Sequence, residues 1–204
     1  MSYWKRLFGN PDVAGAVLFG KRDANSERVY PITIDGSTGA LSTIDYAHHE
    51  IHGGSSYGVS DTVACNTSTC KWMITTPDSM KYMHLIFELS CTGEATFLVT
   101  EGADRTAGTI LLNVNRRRVG TSNVSEAVVS RTPTAGTIDG AITLFSIRDG
   151  ITNIAAKNII PGSGREINEW ILKPNTKYII SITTYADTYA TCRLDWYEHT
   201  DRES

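Results

Sequence analysis

EINEWILKPNTKYIISITTYADTYATCRLDWYEH, Glu166 to His199, reads as strand, turn, strand, turn, strand. Past the Lys173-Pro174-Asn175 turn the residues alternate. Tyr178, Ile180 and Ile182 fall on one face, and Lys177, Ile179, Ser181 and Thr183 on the other. The last stretch repeats the pattern, with Cys192, Leu194 and Trp196 opposite Arg193, Asp195 and Tyr197. Period two over such runs marks strands half-buried against a core. The segment has the chemistry of a sandwich edge and contains no catalytic grouping. A chain closing on such a strand is built to be held rigidly.

Upstream the same texture continues. The pattern predicts strands over 43–52, 58–64, 69–75, 81–91, 95–101, 109–115, 125–131, 141–148, 167–173, 177–184 and 189–198. The clearest is Lys81 to Cys91, where Met83, Leu85, Phe87 and Leu89 alternate with Tyr82, His84 and Glu88. Turn pairs such as Thr92-Gly93, Glu101-Gly102, Asp149-Gly150 and Pro174-Asn175 separate the runs. No helix of ten or more residues is expected after residue 40, and no repeat of fixed period occurs. The expected fold is all-β, a jelly-roll-like β-sandwich over residues 41–204, built from two sheets. Residues 1–40 are rich in glycine and proline and read as an extended N-terminal arm with one short strand, Arg28 to Ile34. Gly150 to Arg165 lacks alternation, and its Ile151, Ile154, Ile159 and Ile160 suggest a loop covered by a neighbour or by its own domain.

The totals bound the function. The 204 residues suit one domain plus an arm, and 41% hydrophobic content supports a full core. A net charge of -3 gives no basis for binding nucleic acid or an anionic membrane. No apolar run approaches the roughly 20 residues of a membrane span. The stretch Val13 to Phe19 is too short and interrupted for a signal peptide, so synthesis and folding in cytoplasm are expected. Cys91 and Cys192 read as small core residues. Cys65 and Cys70 could bridge a tight loop in an oxidising medium.

Candidate chemistry is sparse. His48-His49-Glu50-Ile51-His52 resembles a metal site, but His49 to His52 is one residue short of the spacing that puts two ligands on one helical face. On a strand, His48 and His52 would lie roughly 13 Å apart and could not share an ion. These histidines, with Tyr57, are therefore assigned to a subunit interface, where imidazole protonation would make assembly sensitive to pH. No metal or cofactor is expected. No carboxylate pair, G-x-S-x-G elbow or phosphate-cradling glycine loop stands out, and no catalytic residue is assigned. Arg116-Arg117-Arg118 is the one dense basic run. Planar guanidinium forks suit the acidic surface of a partner protein. Trp170 and Trp196 are assigned to core or subunit packing.

His48-His49-Glu50-Ile51-His52-Gly53-Gly54-Ser55-Ser56-Tyr57, Thr75-Thr76-Pro77-Asp78, Glu169-Trp170-Ile171-Leu172-Lys173-Pro174-Asn175-Thr176-Lys177-Tyr178 and Asp195-Trp196-Tyr197-Glu198-His199 together resemble a group of small tailed-bacteriophage virion proteins. The resemblance covers about residues 41 to 200. It implies a non-enzymatic decoration, cement or head-fibre protein with a jelly-roll-like domain, forming a homotrimer on the capsid exterior. The implied partners are the major capsid protein and other copies of the chain. The expected capsid contacts are Tyr3, Trp4, Lys5, Arg6 and Phe8 of the arm, with Arg116, Arg117 and Arg118. A glycan-binding adhesion module on the virion is one rival reading, and a β-sandwich glycan hydrolase is another.

Overall fold

The computed structural model describes residues 46–119, 123–150 and 169–200, together with the short strands 19–21, 29–31 and 158–160. The chain divides into two compact units, Met1–Asp45 and Tyr46–Glu203. In the first, β1 (Phe19–Lys21) pairs antiparallel with β2 (Val29–Pro31). The arm residues Tyr3 to Phe8 lie outside the described residues, as does most of the Gly150 to Arg165 stretch.

The second unit opens with a helix, α1 (Tyr46–Gly53), and continues in strands. These are β3 (Ser56–Asn66), β4 (Thr69–Thr75), β5 (Lys81–Cys91), β6 (Ala95–Glu101), β7 (Thr109–Ile110), β8 (Val114–Asn115), β9 (Val128–Arg131), β10 (Ile142–Asp149), β11 (Asn158–Ile160), β12 (Trp170–Leu172), β13 (Lys177–Thr184) and β14 (Asp187–Thr200). One sheet runs β10-β6-β13-β4-β9-β7. The other runs β11-β5-β14-β3-β8, with β12 also on β5. The pairs are nested along the chain: β3 with β14, β4 with β13, β5 with β12, and β6 with β10, all antiparallel. A long hairpin rolled into two sheets gives this nesting, which is the jelly-roll topology.

Two expectations need correction. The strand expected over 43–52 is replaced by α1 from residue 46 onward. Gly54 (φ +78°) supplies the left-handed residue that closes a helix, with Gly54 N–H donating to Ile51 O at 3.1 Å and Ser55 N–H to Glu50 O at 3.1 Å. Nor is the closing segment an edge. β14 sits between β3 and β5, and β13 between β4 and β6, so the last two strands fill the middle of both sheets.

The core lies between the sheets. Trp72, Ile74, Phe97, Tyr178, Ile180 and Ile182 come from one sheet, and Tyr57, Met83, Leu85, Leu89, Leu194 and Trp196 from the other. Each fully buried side chain of this size contributes about 1.5–3 kcal/mol. Three of the buried aromatics have partners for their polar handles, as burial away from water favours. Trp72 Nε1 donates to Asp61 (2.8 Å), Trp196 Nε1 to Glu198 (3.0 Å), and Tyr178 Oη to Glu101 (3.0 Å). Burial raises the Tyr178 phenol above its ordinary range. It pushes the Tyr57 phenol up to about 12, with the charges of Glu198 and Glu126 adding to the effect. Cys65, Cys91 and Cys192 are buried and all four cysteines are free. Burial raises the Cys70 thiol to about 12, with Cys65 contributing next.

The alternation read in β13 is incomplete for a physical reason. Ile179, assigned outward with Lys177, is as buried as Ile180, and its ladder neighbour Met73 is buried too. Loops pack over that outer face. Lys177 Nζ donates to Arg105 O, and Thr100 Oγ1 to Asp139 O (2.6 Å), while Thr106 and Thr134 bridge the two covering segments. Lys71 and Arg105 both grip Asp139, at 2.5 and 2.8 Å.

Burial acts to raise the Asp139 carboxyl, but Lys71 and Arg105 outweigh it and hold it below the usual range. Asp104 is held low by the backbone N–H groups of Ile138 and Thr137, Glu101 by Lys173, and Glu126 by Lys81. A carboxylate with a depressed folded-state value stabilises the fold above its unfolded value, about 4, and loses that contribution as pH falls through the folded value. Thermal midpoints should therefore fall on acidification below about pH 4. Asp139→Asn should lower the midpoint at neutral pH and make the acid decline shallower. An unchanged acid slope in that variant would show that Asp139 does not contribute in this way.

Candidate functional site

The candidate surface is organised around Glu198. The residue is 4% exposed, and its carboxylate accepts four hydrogen bonds: from Ser125 Oγ (2.6 Å), the backbone N–H of Glu126 (2.9 Å) and Ala127 (3.2 Å), and Trp196 Nε1 (3.0 Å). A buried carboxylate is tolerated only when its lone pairs are matched in this way. The result ties the segment leading into β9 to the closing strand. Two asparagines extend the tether. Asn115, 6% exposed, donates through Nδ2 to Gly54 O (2.7 Å) and Asn123 O (2.9 Å), and accepts from Arg117 N–H (2.8 Å). Asn113 Nδ2 donates to Ala127 O (2.7 Å) and Ser125 Oγ (3.2 Å).

A loop pinned from beneath presents what remains above it. Ile110, Leu112 and Val114 alternate outward along the edge, while Leu111 packs on the core. Val119 and Val124 are 79% and 87% exposed. Arg117 and Arg118 are exposed beside them. Arg116 is committed elsewhere: its guanidinium pairs with Asp195, which also meets Arg193 at 3.2 Å. Of the three arginines assigned to partner contact, the fold thus presents two and spends one internally. The edges at β7 and β8 end after two residues each, leaving an open apolar row flanked by cations. Clustered exposed apolar side chains of this kind mark interaction surfaces.

A second cluster lies at the end of β14. Its register on β5 sets Tyr197 opposite His84 and His199 opposite Tyr82. His84 Nδ1 lies 2.9 Å from Glu169 Oε1, Tyr197 Oη donates to the same oxygen at 2.5 Å, and the two Nε2 atoms of His84 and His199 are 2.8 Å apart. His199 Nδ1 reaches Thr200 O at 2.9 Å, and the His84 ring stacks on Tyr197 with centroids 4.5 Å apart. The Thr200 carbonyl only accepts, so His199 Nδ1 carries a hydrogen. One proton must then serve the gap between the two Nε2 atoms. A carboxylate-oriented imidazole would offer its far nitrogen to a substrate in acid–base chemistry, but in His84 that nitrogen is occupied by His199. The cluster acts as a clasp joining the Glu169 segment to β5 and β14.

The stretches that carry the phage resemblance meet in this fold. Tyr57 packs on Trp196 (centroids 5.8 Å), and Glu198 N–H donates to Ser55 O (3.0 Å). Thr76 Oγ1 donates to Lys173 O (2.7 Å) and accepts from Thr176 N–H (2.9 Å). Tyr57, assigned to a subunit interface, is a core residue at 3% exposure, whereas His48, His49 and His52 are exposed on α1. Trp196 lies in the core, and Trp170 packs against it half-buried. Among the described residues no group of three or more His, Cys, Asp or Glu side chains could hold a metal ion. The Glu198 tether and the His84 clasp were not found in the sequence. His84 and Glu169 are 85 residues apart and Ser125 and Glu198 are 73 apart, so only the strand register brings them together. No family model matches the chain, and no curated protein matches it.

The tether gives a direct prediction. Glu198→Gln replaces acceptor capacity with an amide that faces donors, and should cost about 3 kcal/mol or more, the range for breaking a buried charged network. Glu169→Ala should cost less, about 1–3 kcal/mol. Denaturant midpoints at constant slope measure both. Equal, small losses would mean that Glu198 does not organise the loop.

Proposed function

We propose that the chain is a non-enzymatic structural protein of a tailed-bacteriophage virion that docks on the assembled major capsid lattice and stabilises or decorates the head. The observation that carries this reading is the tethered loop, a rigid support under exposed Leu112, Val119 and Val124 beside Arg117 and Arg118. Apolar side chains with flanking arginines suit a protein partner whose contact surface is acidic at its rim. The jelly roll is a stiff carrier for such a loop, and the resemblance over residues 41 to 200 supplies the biological setting. A symmetric shell repeats each contact many times, so modest affinity per site yields firm attachment, more so if the protein is a homotrimer engaging several sites at once. The arm, residues 1–40, is the second proposed contact.

The paired commitments of the carboxylates also favour binding over hydrolysis. Asp61, Glu88, Glu94, Glu101, Glu126, Asp139 and Asp195 each face a basic side chain. A glycan-binding reading has one observation in its favour, the exposed Tyr185 and Tyr189. One face of Tyr185 is already covered by the Arg148 guanidinium, 4.3 Å above the ring, which leaves less of a stacking platform.

Co-sedimentation with phage heads tests the proposal. The wild-type chain should pellet with heads at a fixed ratio to the major capsid protein. Arg117→Glu/Arg118→Glu should reduce occupancy about tenfold or more, since like charges across an interface cost several kcal/mol. Val124→Asp should do likewise, with folding unchanged in both. Full occupancy by these variants would move the contact elsewhere, and absence of the wild type from the pellet would overturn the proposal itself.

A further inference from the structure

His48 and His52 stand one turn apart on α1, both exposed, with Nε2 atoms 3.0 Å apart and rings inclined at 71°. The strand geometry that separated them by roughly 13 Å does not apply, because residues four apart on a helix share a face. We propose that this pair chelates a divalent transition-metal ion of tetragonal preference, such as Cu(II) or Ni(II), with solvent completing the coordination.

The distance suits one class of ion. Imidazole nitrogens bind such ions at about 2.0–2.1 Å. With the two nitrogens 3.0 Å apart, the angle at the ion is about 90–97°. That is the cis angle of square-planar or octahedral coordination, whereas a tetrahedral ion would need about 3.3–3.4 Å between the nitrogens. The helix is preset for the task. Its C-terminus is closed at Gly54, and Glu50, 7% exposed, bonds through its carboxylate to Ser55 Oγ, so the turn carrying both rings is anchored to the start of β3. Ligands held on an ordered turn lose little freedom on binding. The other histidine pair, His84 and His199, has a similar nitrogen spacing, 2.8 Å. There His84 is 7% exposed and stacked on Tyr197, so an entering dication would be stripped of water, which is costly. The exposed pair leaves its remaining positions to solvent or to a donor from a second molecule.

Titration of the untagged, metal-free protein with Cu(II) and with Ni(II), by calorimetry and Cu(II) electron paramagnetic resonance, tests the proposal. One ion per chain should bind, with the spectrum showing two imidazole nitrogens. His48→Ala and His52→Ala should each weaken binding about tenfold or more, which corresponds to about 1.4 kcal/mol. His49→Ala should bind as the wild type does. Circular dichroism establishes that the variants are folded. Wild-type affinity in the His48 and His52 variants, or an equal loss in His49→Ala, would overturn the assignment.

Discussion

The buried carboxylate of Glu198 is the constraint on which the presented surface depends. It lies at the end of the strand that fills the middle of one sheet, and it answers the indole of Trp196 and three donors of the segment 125–127. Its position follows from the core: Leu194 and Trp196 must face inward, which fixes the register of β14 against β3 and β5. Packing therefore sets the register, the register places one charge, and that charge shapes a loop distant in sequence.

The same logic extends to other charged side chains among the described residues. Several buried or half-buried charged groups meet partners that consume their capacity, as Asp139 does with Lys71 and Arg105, or Glu101 with Lys173 and Tyr178. Such networks raise the cost of displacing any one member. Among the side chains left with exposed apolar or cationic ends are Leu112, Val119, Val124, Arg117, Arg118 and the histidines of α1. The attachment to a lattice proposed above would need a stiff body and a few presented groups, and this division fits that proposal.

The fold was largely legible in the sequence because β-structure half-buried against a core writes its period into the residue pattern. β4, β5, β6 and β13 begin and end where the alternation does. The failures have particular causes. Residues 43–52 contain too few apolar positions to distinguish a short helix from a strand, and the informative residue was Gly54, whose left-handed conformation closes α1. Ile179 was assigned to a solvent face because nothing local reveals the loops that cover it. The central placement of β13 and β14 depends on long-range pairing, to which periodicity is blind. The candidate surface was half legible: Arg117 and Arg118 stood out as a basic run, but the loss of Arg116 to Asp195 and the tether beneath the loop depend on contacts across 70 residues or more. His48 and His52, roughly 13 Å apart on a strand, stand one turn apart on α1 because the segment is helical.

The central claim is that the loop held by Glu198 is the surface that meets the capsid. Amide hydrogen exchange of the protein bound to phage heads, compared with the free protein, tests it most directly. The account predicts added protection across residues 110–119 and 123–128, with the β10 edge of the opposite side unchanged. Protection confined to β10, or an identical pattern in the bound and free states throughout this loop, would contradict it.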